Sequence, residues 1–184
     1  MSWNLTGEEK TLMIEAGYSG RAIEIFDNKV NVGTLEDANL SFSYTGPCGD
    51  TIILHLLIGD DKVIDDIRFQ YIGCPALAAS GSALTVLMKG KHLKKARNIT
   101  PEEIIEYLGG LPNDHSHCPL LAATTLQKAI ETYKNKKRLT KKEHDEYVHF
   151  CGLTGKELEG LPHSPCSNCP MVQSCENDHT IIDT

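Results

Sequence analysis

The sequence predicts an α+β fold, with a three-stranded antiparallel sheet, helices packed on one of its faces, and a small cysteine-rich C-terminal extension. Three observations lead to this prediction. Strand-like segments joined by turn signals occupy residues 40–72, and helical periodicity replaces them from residue 75 onward. Beyond residue 138, Gly, Pro, Ser and Asn dominate and four cysteines cluster. We therefore predict a main domain over residues 1–138, and a helix plus metal-binding extension over residues 139–184.

The N-terminal segment predicts two helices and a turn. Residues 2–20 are expected to form the first helix, with Thr6 and Glu9 as its capping box. Residues 19–28 predict a second, shorter helix that carries apolar side chains on one face. Residues 28–33 then predict a turn that leads towards the sheet.

Three strands are expected over residues 40–44, 51–58 and 63–72. The stretch Gly59-Asp60-Asp61-Lys62 is a hairpin signal between the second and third strands. In the third strand, apolar and polar side chains alternate, so that one face is expected to be buried and the other solvated.

The remaining sequence of the main domain predicts three helices, each with a proline in its first turn. Proline in the first turn predicts helices over residues 75–89, 101–109 and 119–137, and the second of these also has a capping box. A further capping pair predicts a helix over residues 140–150, just past the predicted boundary near Arg138.

Composition excludes several classes of function. The net charge of −7 gives no overall basic field for nucleic acid or for an anionic membrane. No signal peptide and no apolar run long enough to span a bilayer are visible, so we expect a cytoplasmic, reducing setting. Seven cysteines in that setting indicate metal ligands or reactive thiols in preference to disulfides.

Three short stretches carry the candidate chemistry of the main domain. The turn Gly46–Asp50 places the thiol of Cys48 and the carboxylate of Asp50 two residues apart. Cys74 precedes one predicted helix, and His117-Cys118 precedes another, where free amide groups and the helix dipole favour thiolate over thiol. Thiolates suit zinc, cuprous copper and iron–sulfur clusters, and an imidazole or a carboxylate can complete the ligand set.

These residues resemble the IscU/NifU-type iron–sulfur cluster assembly scaffold proteins. The separations of 26 positions from Cys48 to Cys74 and of 44 from Cys74 to Cys118 match the family almost residue for residue. The resemblance covers residues 22–134, without the long insertion that marks the zinc-dependent SufU branch. The matching stretches are Asn31-Val32-Gly33, Gly46–Asp50, Gly73-Cys74, His117-Cys118 and the Ala- and Ser-rich residues 76–84.

The resemblance implies a carrier, not an enzyme, on which a transient 2Fe–2S cluster is built from iron and persulfide sulfur and handed to recipient apo-proteins. It implies Cys48, Cys74 and Cys118 as ligands, Asp50 as the labile fourth ligand and His117 as the alternative ligand. Cys118 is the implied acceptor of persulfide from a cysteine desulfurase. The other implied partner is an iron donor, and a homodimer is compatible with the resemblance.

One stretch departs from the family pattern. Bacterial members carry an LPPVK-type chaperone-docking motif just before His-Cys, whereas this chain reads Leu111-Pro112-Asn113-Asp114-His115. Only Leu-Pro is retained, so the sequence does not predict recognition by a dedicated chaperone. His115 takes the place of the family's lysine. We interpret it as a solvated loop histidine, with a further metal or proton partner as the alternative.

The predicted extension contains its own set of thiols with the spacing C-x14-C-x2-C-x5-C, namely Cys151, Cys166, Cys169 and Cys175. The extension has too few large apolar residues to fold by hydrophobic burial alone, so a metal centre is expected to hold it together. The C-x5-C spacing favours a 4Fe–4S cluster, and a four-cysteine zinc site is the alternative.

Two other functions remain open at this point. In a zinc-bound sulfurtransferase, Cys48, Cys74 and Cys118 would hold Zn²⁺, and one of them would be released to accept and relay persulfide sulfur. In a structural zinc module, the same ligands would only shape a surface that recruits partners.

Overall fold

The computed structural model describes residues 4–136, including the side chains of residues 4–134. One compact unit ends at Ile130. The elements in chain order are α1 Gly7–Glu15, α2 Gly20–Asp27, β1 Leu40–Thr45, β2 Thr51–Ile58, β3 Ile64–Ile72, α3 Pro75–Met88, α4 Leu93–Ala96, α5 Pro101–Leu108, a 3-10 helix Asn113–His115 and α6 His117–Lys136. The predicted α+β class is confirmed.

The sheet has the order β1-β2-β3, and both strand pairs are antiparallel. The register pairs Leu54 of the central strand with Phe42 on one side and Phe69 on the other. Successive side chains of a strand point to opposite faces of the sheet, and in β2 one row, formed by every second side chain, is buried. This row consists of Ile52, Leu54, Leu56 and Ile58.

Helix α3 contacts β3 and also packs against α2 and α5. Small buried side chains, among them Ala79, Ser80 and Ala83, allow its backbone to lie close to the sheet. The approach is close at Gly81, where a Cβ atom would lie 2.4 Å from a ring carbon of Phe69. This packing fixes the N-terminus of α3, and therefore Cys74, at the end of β3.

The stretch Asn31–Gly33, part of the family resemblance, extends the sheet along the edge of β3. The backbone N–H of Gly33 donates to the carbonyl of Phe69 at 2.8 Å, and the N–H of Phe69 donates to the carbonyl of Asn31 at 3.1 Å. The Asn31 side chain donates to Thr85 Oγ1 of α3 at 3.0 Å. These contacts give the motif a structural role, because it joins the sheet edge to the central helix.

The structure differs from the predicted elements in three respects. Helix α1 ends at Glu15, earlier than predicted, although its Thr6–Glu9 capping box is confirmed. Helix α4 and the 3-10 helix are not among the predicted elements. Helix α6 begins at His117, so Pro119 is its third residue and both His117 and Cys118 belong to its first turn.

Among residues 4–136, no helix is both long enough and apolar enough to cross a bilayer. The predicted boundary near Arg138, the helix predicted over residues 140–150 and the four cysteines of the predicted extension lie outside the described residues.

Candidate metal centre

The loop between β1 and β2 forms a tight turn that carries Cys48 and Asp50. The N–H of Gly49 donates to the Gly46 carbonyl at 3.0 Å, and the N–H of Gly46 donates to the Asp50 carbonyl at 2.9 Å. Gly49 has a φ of +88°, which favours glycine at this position. Helix α6 lies against the turn, because a Cβ atom at Gly46 would be 3.3 Å from the Leu121 side chain.

The buried half of the site contains two thiols and an imidazole, which we call the inner set: Cys74, His115 and Cys118. Cys74 is the N-cap residue of α3, and its Sγ lies 3.4 Å from Cys118 Sγ. His115 Nδ1 lies 3.7 Å from the same Cys74 Sγ. Cys118 is fully buried, whereas Cys74 and His115 are half-buried.

The exposed half, the outer set, contains Cys48, Asp50 and His117, whose ligand atoms lie within 4.8 Å of one another. Cys48 and His117 are exposed and Asp50 is half-buried. Asp50 links the two sets, since its carboxylate accepts from the backbone N–H of Cys74 at 3.5 Å. All five main-domain site residues predicted from the sequence therefore meet at one place.

The electrostatic environment favours the protonated thiol at Cys118. Burial raises its pKa, and the neighbouring Cys74, Asp50 and Cys48 raise it further, because each would place a second negative charge nearby. Burial of Cys118 therefore opposes the stabilisation of a thiolate that the sequence predicts at this helix N-terminus. A bound cation would reverse the balance, because metal ligation removes the thiol proton.

This environment leads to a prediction about alkylation of the metal-free protein. We expect iodoacetamide near neutral pH to modify Cys48 about tenfold or more faster than Cys118, because only a thiolate that solvent can reach reacts readily. Peptide mass spectrometry after timed quenching, with a chelator present, measures each site separately. Equal rates at the two cysteines would contradict the burial of Cys118.

Two further side chains, those of His115 and Tyr18, lie near the thiols. His115 is not a solvated loop histidine: 29% of its side chain is exposed, and its ring faces Cys74. The ring of Tyr18 lies 6.2 Å from the ring of His115, and burial raises the pKa of Tyr18 to about 12, with Cys74 and Cys118 adding to the effect. Sequence reasoning missed Tyr18, because no motif connects it to residues about a hundred positions away.

The geometry can be compared with known families. The model of the family described as NifU-like N terminal domain matches residues 17–140, more than half of the chain. The chain belongs to the NifU-like N-terminal domain family. The predicted resemblance is therefore confirmed for the NifU-like domain, and the two donor sets lie inside the matched region.

Several curated relatives of this NifU-like chain have names that state a role. An iron–sulfur cluster assembly scaffold protein, IscU 1, of Archaeoglobus fulgidus is 34% identical over 151 residues, covering 73% of this chain and 98% of the relative. The scaffold protein IscU of Aquifex aeolicus is 40% identical over 118 residues, covering 63% and 75%. The nitrogen fixation protein NifU of Trichormus azollae is 33% identical over 147 residues, which are 75% of this chain and 49% of that protein.

Solved structures agree on the fold of the NifU-like domain. The N-terminal part of a NifU-like protein from Brucella abortus superposes with a TM-score of 0.54 at 20% identity, covering 67% of this chain and 99% of that one. A scaffold protein for the SUF system from Fervidobacterium islandicum gives a TM-score of 0.50 at 24% identity, covering 61% and 96%. At these identities the likeness concerns the fold alone.

Proposed function

We propose that this protein is a scaffold that assembles a transient 2Fe–2S cluster from iron and persulfide sulfur and transfers it to recipient apo-proteins. The observation that carries the proposal is the convergence of three free thiols, a carboxylate and two imidazoles from separate segments of the chain. Its curated relatives are named as iron–sulfur cluster assembly scaffold proteins. The cluster is then the cargo of a carrier, and the protein does not turn over a small molecule.

The donor atoms fit this cargo. Cys48, Cys74 and Cys118 would provide the thiolates that iron–sulfur clusters prefer. Asp50 would be the labile fourth ligand, because a hard carboxylate binds iron in a sulfur-rich site more weakly than a thiolate does. His117 would be the alternative ligand, since its imidazole lies in the same outer set as Asp50.

The exposure of the ligands supports transfer. Cys48 and His117 are exposed, whereas Cys118 is fully buried. Ligands of a recipient protein would thus displace the outer set before the inner set. This difference in exposure suits a donor, which must release its cluster, whereas a permanent centre does not require exposed ligands.

Sulfur would arrive by persulfide exchange. A thiolate of the scaffold attacks the terminal sulfur of the desulfurase persulfide, so that a new S–S bond forms while the desulfurase cysteine leaves as a thiolate. Conversion of each transferred sulfur to sulfide consumes two electrons, which ferrous iron and an external reductant would supply. We retain Cys118 as the proposed acceptor, which requires a bound metal ion to draw off its thiol proton.

Other parts of the proposal concern partners and the extension. A cysteine desulfurase, an iron donor and recipient apo-proteins are the proposed partners, and a second copy of the chain is compatible with the exposed outer set. For Cys151, Cys166, Cys169 and Cys175, a permanent 4Fe–4S cluster, or Zn²⁺ in its place, stays a prediction.

Anaerobic purification followed by ultraviolet–visible spectroscopy and analysis of iron, sulfide and zinc tests the proposal. We expect a cluster with equal iron and sulfide at the main site after reconstitution. The cluster should persist in a chain truncated after Arg138, which separates it from any cluster of the extension. A colourless protein that keeps zinc at the three-thiol site and cannot be reconstituted would instead favour the sulfurtransferase or the structural zinc module.

A further inference from the structure

We propose that Cys74, His115 and Cys118 form a three-ligand site that holds a single divalent transition-metal ion, ferrous iron during assembly, with His115 Nδ1 as a direct ligand. The proposal rests on the scaffold function above and adds one residue, His115, to its ligands.

The distances within the inner set match a coordination tetrahedron. With metal–sulfur bonds of about 2.3 Å and metal–nitrogen bonds of about 2.0 Å, a tetrahedral ion places two sulfur ligands ~3.8 Å apart and a sulfur and a nitrogen ~3.5 Å apart. The Sγ atoms of Cys74 and Cys118 are 3.4 Å apart, and Cys74 Sγ is 3.7 Å from His115 Nδ1. The third pair, Cys118 Sγ and the His115 ring nitrogen, lies within 4.8 Å, so small side-chain adjustments would bring all three groups to one ion.

The other nitrogen of His115 faces a carboxylate. Its Nε2 lies 3.9 Å from Asp114 Oδ2, while Nδ1 faces the thiols. Histidine ligands commonly pair their second ring nitrogen with a carboxylate, which orients the ring. At 3.9 Å the exposed Asp114 carboxylate does not hydrogen-bond to the imidazole, but it lies on the side of the ring where such a partner belongs.

The segment that carries His115 is held in place by residues 17–19 and by its own 3-10 turn. Pro112 packs against Gly17, and the carbonyl of Gly110 accepts from the N–H of Ser19 at 3.4 Å. The N–H of His115 donates to the Pro112 carbonyl at 3.0 Å, which closes the 3-10 turn, and the Tyr18 ring lies beside the imidazole. A ligand held in this way loses little conformational freedom when the metal binds.

Cobalt(II) titration of the full-length chain tests the proposal, with the four cysteines of the extension replaced by serine so that only the main site binds. In the triple variant Cys48→Ser, Asp50→Ala, His117→Ala, the inner set is the only complete set left. We expect it to bind one Co²⁺ with thiolate charge-transfer absorption and the intense visible bands of a tetrahedral ion. Adding His115→Ala should weaken the affinity about 10–100-fold or more, as loss of a ligand or of its supporting shell does.

Two further variants separate ligation from simple proximity. His115→Cys, which supplies another soft donor, should restore binding, whereas His115→Lys, the residue of the family pattern, should not. His92→Ala is the matched control: it removes the histidine at the N-cap of α4, outside both sets, and its effect on the first Co²⁺ equivalent should be small. Circular dichroism of the metal-free variants checks that the fold is retained.

The outcomes are distinct from those of the scaffold proposal. Unchanged cobalt affinity and spectrum in His115→Ala would show that the imidazole only hydrogen-bonds to Cys74, and the inference would be wrong. Failure of the triple variant to bind any Co²⁺ would overturn it equally, because the inner set would then not be a site. If the unaltered chain binds cobalt through His115 but never holds an iron–sulfur cluster, the scaffold function fails and the metal site stands.

Discussion

Replacement of Asp50 by alanine should lengthen the lifetime of the 2Fe–2S cluster and slow its transfer to an apo-protein by about tenfold or more, the scale of ligand-shell changes. The carboxylate is the hardest donor of the site, and His117 lies within 4.8 Å of it in the outer set. Once the carboxylate is absent, the imidazole can occupy the vacated position and bind iron more firmly. Decay of the visible absorption and appearance of cluster on an apo-ferredoxin measure the two effects.

The same reasoning predicts how a second substitution reverses the first. In Asp50→Ala, His117→Ala, no replacement ligand remains in the outer set, so the cluster should become short-lived again. Asp60→Ala is the control: it also removes one carboxylate, but Asp60 is exposed and lies beyond the opposite end of β2. Lifetime and transfer that match the unaltered chain in Asp50→Ala would show that Asp50 is not the labile ligand.

Replacement of Phe69 by alanine should lower the free energy of unfolding by about 3–5 kcal/mol, a large part of the ~5–15 kcal/mol typical of a domain. Phe69 is fully buried, lies in β3 and packs against α3 at Gly81. Urea unfolding in the presence of a chelator, followed by circular dichroism, measures the change. Arg68→Ala, on the exposed face of the same strand, should change it by less than about 0.5 kcal/mol.

A double-mutant cycle tests this packing, because the effect of Gly81→Ala on the free energy of unfolding should change sign when Phe69 is replaced. In the unaltered chain, Gly81→Ala should destabilise by about 1–3 kcal/mol, because its Cβ atom would lie 2.4 Å from the Phe69 ring. In the Phe69→Ala background, the same substitution should stabilise by up to about 1 kcal/mol, because the ring is gone and the gain in helix propensity remains. Equal effects in both backgrounds would contradict the close approach of α3 to the sheet.

The sheet and the central helices could be predicted because their signals are local. Alternation in β2 and β3, the proline in the first turn of α3 and the capping box of α5 each occupy a short stretch of sequence. Helix α4 escaped prediction since it spans only Leu93–Ala96, which is too short for a periodic pattern. The start of α6 was predicted at Pro119, but proline is tolerated throughout the first turn, so the helix can begin at His117.

The residues of the candidate site could be predicted from the sequence, but their positions relative to one another could not. The thiols, Asp50 and His117 follow from motif and spacing. The division into inner and outer sets depends on how the 3-10 helix and the first turn of α6 fold over the end of α3. The contact between His115 and Cys74 joins residues 41 positions apart, and nothing in the local sequence indicates it.

The thiols of the site come from three segments, and Cys74 and Cys118 are 44 positions apart in the chain. An ion or cluster bound by all three thiols therefore acts as a cross-link that closes two long loops, as a disulfide would. The free energy of unfolding of the loaded chain should rise with the logarithm of the ratio of cargo concentration to its dissociation constant. In the proposed scaffold, departure of the cluster would remove this cross-link, and a partner that distinguishes the two degrees of order could tell a full carrier from an empty one without touching the metal.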